Sequence, residues 1–522
     1  MRKLISVIFN LFLTSSVVAQ TCPDQNLFYT TQEEVDNFPV QYPDCTDLTH
    51  DFALFGANIT DLSPLGKIKN VSTFLSLTEL EGDIGISEFL NQFDTIGLTL
   101  FIEGIRSSES IVVEDLDYLG GLVFRNSRFV ETFSVSTDSM GESFFISLEN
   151  NRELLNLSFT ASQDTLKAEE VRVLDNEMLT TLTLLGDVRT VTGDLLIEDS
   201  SDLDRITGLE TLESVGGILS IQNLSLASVD WDFSNLRHVG SDLRLDFLRS
   251  IGDFSTFDNV ETVGGNMRIS NGAAIVTEIS GFRGLTSVGE GFSIRSSNVA
   301  ARISGFSELV EVGGQFLFSN LGGLREIDGF RKLQTVGEDL WLNGTDDLLS
   351  LESFSALKDV AEIRLDDCRK LVSLDGLHNV DVDKLDRLQL TDSDMLTICN
   401  QPNICRYINE ELGEAVITNN GPDCSSEEEI KISCLSSAVG DVVGLENIVV
   451  YPNPATDILT VSIEPSATVD VVLRDMMGRE RMREENVSVA ASLELSQLPT
   501  GIYVLTVHGD GGAFTAYQVV KK

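Results

Sequence analysis

Five residues in the middle of the chain combine types and spacing that could hold a ligand: Arg244, Arg268, Arg295, Trp341 and Arg364. An arginine fork takes a carboxylate or sulfate through two parallel hydrogen bonds, and a tryptophan face can stack on a sugar or aromatic group. Positive charge is scarce around them, since the chain has 36 Lys+Arg against 82 Asp+Glu and a formal net charge of -46. Asp242 and Asp246 flank Arg244, so the competing reading is a set of surface ion pairs, each worth under about 1 kcal/mol. Sites for other chemistry do not emerge. The 4 histidines, His50, His238, His378 and His508, lie far apart in the chain, with no HExxH pairing, and the sequence contains no GxSxG, GxxxxGK or GxGxxG motif. The groups Asp199, Asp202, Asp204 and Asp381, Asp383, Asp386 lack the glycine that a calcium loop needs. With 82 carboxylates in the chain, acid pairs carry no specificity for glycoside cleavage. The expectation is a chain that is not an enzyme, with no catalytic residues, no metal and no cofactor.

A repeat positions the arginines. "VTGDLLIED" at Val191 returns at Val215, Val239, Val263, Val288, Val312, Val336 and Val360, in steps of 24 residues with a single step of 25, and weaker copies run back through Val171, Phe145 and Leu122 towards Phe52. Each unit alternates apolar and polar residues, as in Leu219-Ser220-Ile221, and then supplies a second apolar set such as Ile206, Leu209 and Leu212. Alternation predicts strands, and a unit of this length cannot bury its apolar face alone, so the units must stack as a solenoid. Parallel strands about 4.8 Å apart would turn some fourteen coils into a rod on the order of 65 Å long. The residue between two inward ones should face solvent, which gives the column Arg172, Leu196, Ser220, Arg244, Arg268, Ser293, Leu317, Trp341, Arg364. Arg295 falls in the next outward column. Arg244 and Arg268 become direct neighbours, a like-charged pair that needs compensation from carboxylates or a ligand.

Two further positions recur. Asn126, Asn150, Asp175, Asp199, Asn223, Asn271, Asn320 and Asp367 fall at one corner of the coil, interrupted by Phe247, Ser296 and Gly344. Asn and Asp tolerate left-handed backbone and cap neighbouring amides, so a stacked corner ladder is expected. The glycines after each repeat valine mark the opposite bend, where a side chain would crowd the turn or where φ is positive.

The ends follow different rules. Arg2 and Lys3 precede an apolar run from Leu4 to Val18, and Val17-Val18-Ala19 offers a cleavage site, so residues 1–19 read as a secretory signal peptide. That run is too short to span a membrane, and no second candidate follows, so no transmembrane segment is expected. Nucleic acid and anionic lipid would repel so acidic a chain. In an exported protein Cys22 and Cys45 read as one disulfide, and Cys399, Cys405, Cys424 and Cys434 as two more, with three pairings open. Cys368 belongs to the repeat and should be a buried free thiol. After a small-residue linker, the last segment alternates again over Ile448–Tyr451, Ile458–Ile463, Val469–Arg474, Arg479–Arg483, Ser492–Leu495, Ile502–Val507 and Phe514–Val520, with turns at Met477-Gly478 and Pro499-Thr500-Gly501. A small Ig-like antiparallel β-sandwich fits.

Two resemblances cover these parts. "LESVGGILSIQNLSLASV" and "LVEVGGQFLFSNLGGLREIDGF" are similar to the receptor L-domain class of leucine-rich-like β-helices, over roughly 52–398. That class implies a right-handed solenoid that binds partners along its sheet. This array runs on as one long series without the cysteine-rich modules of growth-factor receptors, which argues against a signalling role. "YPNPATDILTV", "VVLRDMMGRE", "LSQLPTGIYVLTV" and "YQVVKK" resemble, in order, the C-terminal sorting domain of the type IX secretion system. On the residues of this chain the motif falls on Tyr451, Pro452, Asn453, Pro454, Gly478, Gly501 and Tyr503. It implies contact with the secretion machinery and delivery to the exterior or outer surface of a Gram-negative bacterium. The expected layout is signal peptide 1–19, N-terminal cap 20–51, solenoid 52–398, cysteine-containing cap 399–437, linker 438–446 and sorting domain 447–522. The expected function is binding or adhesion to a glycan or surface protein; a carbohydrate-active β-helix enzyme and a ligand-free structural rod are the rivals.

Overall fold

The computed structural model describes residues 22–162, 167–184, 186, 188–224, 231–248, 251, 253–270, 277–297, 300–438, 448–463, 468–476, 478–508 and 514–522. The expected signal peptide 1–19, the linker beyond Ala438, and Asn271 and Met477 lie outside them. The described chain is mainly β, a parallel solenoid of about 15 turns followed by a small antiparallel β region.

One long parallel sheet runs along the solenoid. It starts with Leu27–Tyr29 against Phe52–Phe55 and continues, coil by coil, to Arg387–Thr391 against Glu414–Thr418, and in the middle coils a short second strand such as Thr190–Val191 or Ser214–Val215 joins the same sheet. The first and last of these strands lie in the segments expected to be caps, so the caps extend the sheet as well as closing it. The reason is that Leu27 and Ile417 continue the inward apolar row and are buried. A second parallel sheet on the opposite side includes Ile111–Leu119, Thr132–Met140, Asn156–Ala161 and Thr181–Leu184.

A stack of coils leaves an open apolar face and a bare strand edge at each end. At the first end, helix Gln32–Gln41 turns Val35 and Phe38 into the core, and Thr31 and Glu34 form a capping box at its start. The Cys22–Cys45 disulfide holds this element down. At the other end, helix Pro402–Glu410 buries Ile404, Tyr407 and Ile408, and helix Glu427–Ala438 follows. Of the three pairings open to the last four cysteines, the chain adopts Cys399–Cys424 and Cys405–Cys434, each tying a helix-bearing segment to its neighbour.

The corner ladder is present and more uniform than the residue types suggest. Asn126, Asn150, Asp175, Asp199, Asn223, Asn320 and Asp367 have φ between 51° and 56°, and the exceptions Phe247, Ser296 and Gly344 share the conformation at 55°, 57° and 62°. The backbone N–H of each ladder residue donates to a carbonyl of the following coil, as from Asn126 to Glu149 at 3.0 Å and from Phe247 to Ser270 at 2.6 Å. Side chains add rungs, Asn150 to Asn126 at 2.7 Å and Asn223 to Asp199 at 2.8 Å. The glycines at the other bend act through space alone. A Cβ on Gly240, Gly264, Gly289, Gly313 or Gly337 would fall closer than 3.0 Å to the carbonyl oxygen of the glycine one coil back, and none of the five has positive φ.

Inside, Phe233, Phe257, Phe282, Phe306, Phe330 and Phe354 form a continuous ring stack with centroid separations of 5.0, 5.3, 5.4, 5.2 and 6.0 Å. Such contacts add about 0.5–1.5 kcal/mol each beyond burial. One place past the ladder lies an inner polar column, Ser127, Asn151, Asn176 and Ser200, all buried, with Thr345 and Ser393 further on. Cys368 occupies this column as a buried free thiol, 3.2 Å from the Thr345 hydroxyl. Burial pushes its thiol up to about 12, with the nearby carboxylates of Asp366 and Asp367 acting in the same direction.

The C-terminal region has its own core, from Ala455 and Leu459 to Val507 and Val519. Among the described residues seven antiparallel strands form one sheet of Ile448–Tyr451, Ile458–Ile463 and Ala490–Glu494 and a second of Val469–Asp475, Glu480–Val487, Gly501–His508 and Phe514–Lys521.

Candidate functional site

The strand register sets the site. Arg244 pairs directly with Arg268, Arg268 with Ser293, Ser293 with Leu317, Leu317 with Trp341 and Trp341 with Arg364. In the adjacent column Asp246, Ser270, Arg295 and Ser319 are in line. Not every member of the outward column is open to solvent, because long neighbours fold over short ones. Ser220 is fully covered, with the Gln222 amide donating to its hydroxyl at 2.5 Å, and Leu317 is 5% exposed.

Arg244, Arg268 and Arg295 come together around a concavity of ≈ 560 Å³. Its floor is low because Gly289, Gly291, Gly313 and Gly314 present only backbone, and Asn266, Gln315, Glu290 and Glu338 supply polar walls. Two of the three arginines have local partners. Arg244 Nη2 lies 2.6 Å from Asp242, and Arg268 is held by Asp246, a carboxylate only 1% exposed. Burial opposes charge on Asp242, but the Asn266 N–H at 2.8 Å and the Arg244 guanidinium outweigh it and hold the carboxyl below its ordinary range. These two carboxylates compensate the like-charged stack. Arg295 is exposed and makes no ion pair among the described residues. The arrangement can bind an anion: one unengaged guanidinium projects beside two held ones, over a floor without side chains.

Trp341 and Arg364 lie elsewhere on the sheet and do not line this concavity. The Arg364 guanidinium sits 4.0 Å from the centre of the Trp341 ring and 3.6 Å from Asp339. The Trp341 Nε1–H donates to Asp366 at 2.9 Å, and Asp366 also accepts from Gln389 at 2.7 Å and from the Thr391 hydroxyl. One ring face and the indole N–H are thus engaged within the protein. The five residues singled out from sequence therefore divide into three that share an open concavity and two that form a closed network. The glycine floor and the Gln315 wall went unassigned in the sequence, although "VGEG" and "VGGQ" mark their places.

The sorting-motif residues fold together in the C-terminal region. Asn453 imitates a strand residue: its side-chain amide donates to the Gln518 carbonyl at 2.6 Å and its oxygen accepts from the Val520 N–H at 2.9 Å. Tyr451–Pro452 and Asn453–Pro454 are cis peptides beside it. Tyr503 is buried and donates to the Pro499 carbonyl at 2.8 Å, and Gly478 makes its turn at φ 75° with its N–H on the Asp475 carbonyl at 2.8 Å. Residues 449–522 match the family model described as the secretion system C-terminal sorting domain, the type IX export signal. No match to the chain was found among the curated proteins. The sorting domain indicates a secreted or cell-surface protein that interacts with the secretion machinery. Among the described residues no helix is long and apolar enough to cross a membrane, and no group of acidic, histidine or cysteine side chains has the arrangement of a metal site.

Proposed function

We propose that this is a binding protein of the Gram-negative cell exterior, an L-domain-like solenoid carried out by its sorting domain, and that the Arg244–Arg268–Arg295 concavity holds a carboxylate or sulfate group of a glycan. The observation that carries this reading is Arg295, exposed and without an ion pair among the described residues, at the rim of a glycine-floored concavity in a chain of net charge -46. A cation left unneutralised where carboxylates are abundant is available to an incoming anion. The reading is of binding without catalysis, supported by the pairing of Asp242 and Asp246 to arginines rather than to each other as acid and base.

The pairing of Arg244 and Arg268 with those same aspartates favours one rival, a structural surface rod whose charges merely neutralise each other. Titration of the full chain with sulfated and uronate oligosaccharides separates the two. Binding that falls at least about ten-fold when Arg244, Arg268 and Arg295 are together replaced by alanine supports the proposal. Equal affinity of the two proteins places the ligand elsewhere than in this concavity, and no anionic glycan bound by either favours the rod.

A further inference from the structure

Nearer the N-terminus a second concavity, of ≈ 700 Å³, opens at the corner of the solenoid. Arg106, Arg128 and Arg152 line it from equivalent positions, each two residues past a left-handed corner at Gly104, Asn126 and Asn150. Arg106 and Arg128 are bridged neighbours in adjacent coils. Glu81 holds Arg106 at 2.8 Å, but Arg128 and Arg152 are exposed and make no ion pair among the described residues. Three glutamates, Glu79, Glu81 and Glu103, also line the concavity, but among the described residues only Glu81 pairs with one of the three arginines, since Glu103 pairs with Arg125 at 3.1 Å; two stacked guanidinium groups are thus left for an external anion.

The other lining residues narrow the choice of anion. Phe55, 46% exposed, presents an aromatic surface, and Glu79 and Glu81 offer acceptors. Glutamates in the same concavity disfavour a densely charged phosphate or sulfate polymer, and a run of aspartates and glutamates alone has no ring to lie on Phe55. A sugar carrying one carboxylate satisfies all three features: the carboxylate on the arginine forks, hydroxyls on the glutamates, and the apolar ring face on Phe55. We propose that this corner is a second binding site, for a uronic-acid sugar, independent of the Arg244–Arg268–Arg295 concavity.

The test is calorimetric titration of the full chain with a tetramer of galacturonic acid, in a background carrying Arg244→Ala, Arg268→Ala and Arg295→Ala. The expected result is retained binding that falls roughly 10- to 100-fold when Arg128→Ala and Arg152→Ala are added. Phe55→Ala should weaken it several-fold, and esterifying the carboxylates of the tetramer should weaken it as much as removing the arginines. Loss of all binding in the background variant overturns the corner site and leaves the first concavity standing. Binding that is unchanged there but lost on removing Arg128 and Arg152 supports the corner and assigns this ligand away from the first concavity. Binding of a glutamate hexapeptide as tightly as the tetramer overturns the sugar assignment.

Discussion

The concavity around Arg295 and the network around Trp341 use the same outward columns of one sheet and the same vocabulary of arginine, aspartate and a flat strand surface, yet they are opposites. At Trp341 the guanidinium of Arg364 lies on the indole ring and beside Asp339, and Asp366 accepts from the indole N–H, from Gln389 and from Thr391, so side chains of adjacent coils are tied to one another. At Arg295 the neighbouring column holds Ser293, and Gly289 and Gly291 of its own coil with Gly313 and Gly314 of the next leave a low floor. The difference teaches that residue type alone does not make a binding site on a solenoid. What matters is whether the adjacent coils supply partners, because each outward side chain has its nearest neighbours one coil away at about 4.8 Å.

The sharpest test of this contrast is a double dissociation, and its largest effect should come from Trp341→Ala. This change removes a large half-buried ring, strands the Arg364 guanidinium and takes a donor from Asp366, so we expect a loss of about 2–4 kcal/mol in chemical denaturation. Ligand affinity at the concavity should be untouched. A Trp341→Ala protein that is as stable as the parent but binds less would reverse the assignment of the two regions. Next in size is Asp246→Ala. Asp246 is almost wholly buried against Arg268, and its removal leaves a guanidinium beside Arg244 without its main counter-charge. We expect about 1–3 kcal/mol of destabilisation, and anion affinity that rises rather than falls because Arg268 is set free. A fall in both would place Asp246 among the groups that hold the ligand.

Much of this was legible in the sequence, for identifiable reasons. The 24-residue period fixed the strand register, so the column from Arg172 to Arg364 is the column found. The corner ladder was readable through Asn and Asp, but Phe247 and Ser296 adopt the same left-handed turn without the side chain that announces it, because the stacked N–H to carbonyl bonds of the neighbouring coils impose it. The strands in the two cap segments escaped notice because Leu27–Tyr29 and Glu414–Thr418 carry no repeat valine or glycine, only an alternation too short to stand out. The phenylalanine stack was hidden for a different reason: periodicity shows that Phe282, Phe306 and Phe330 recur, but not that their rings overlap within 5.4 Å. The separation of Trp341 from the arginine concavity depended on which partner each guanidinium chose, and a charge pattern with acids on every side leaves that choice open.

Acidity should act on the concavity selectively and gently. Asp242 has its carboxyl held below the ordinary range in the folded chain, so its contribution is fully present above the unfolded value and is lost as pH falls through the folded one. The pair with Arg244 is partly exposed, so the stability at stake is under about 1 kcal/mol. On acidification Asp242→Asn should therefore show a slightly flatter loss of stability than the parent; equal slopes would mean that Asp242 is not preferentially ionised by the fold.

The smallest effect on stability should be the most informative about function. Arg295 is exposed and has no ion-pair partner among the described residues, so Arg295→Ala should change the unfolding free energy by no more than about 0.5 kcal/mol. The same substitution should weaken an anionic glycan by several-fold or more, since a charge-assisted bond to an otherwise unengaged guanidinium is lost. Arg364→Ala should show the reverse, a stability loss with unchanged affinity, because its guanidinium is already committed to Trp341 and Asp339. If both variants lose stability and neither loses ligand, the concavity is another closed network, and the contrast between the two regions fails at its functional end.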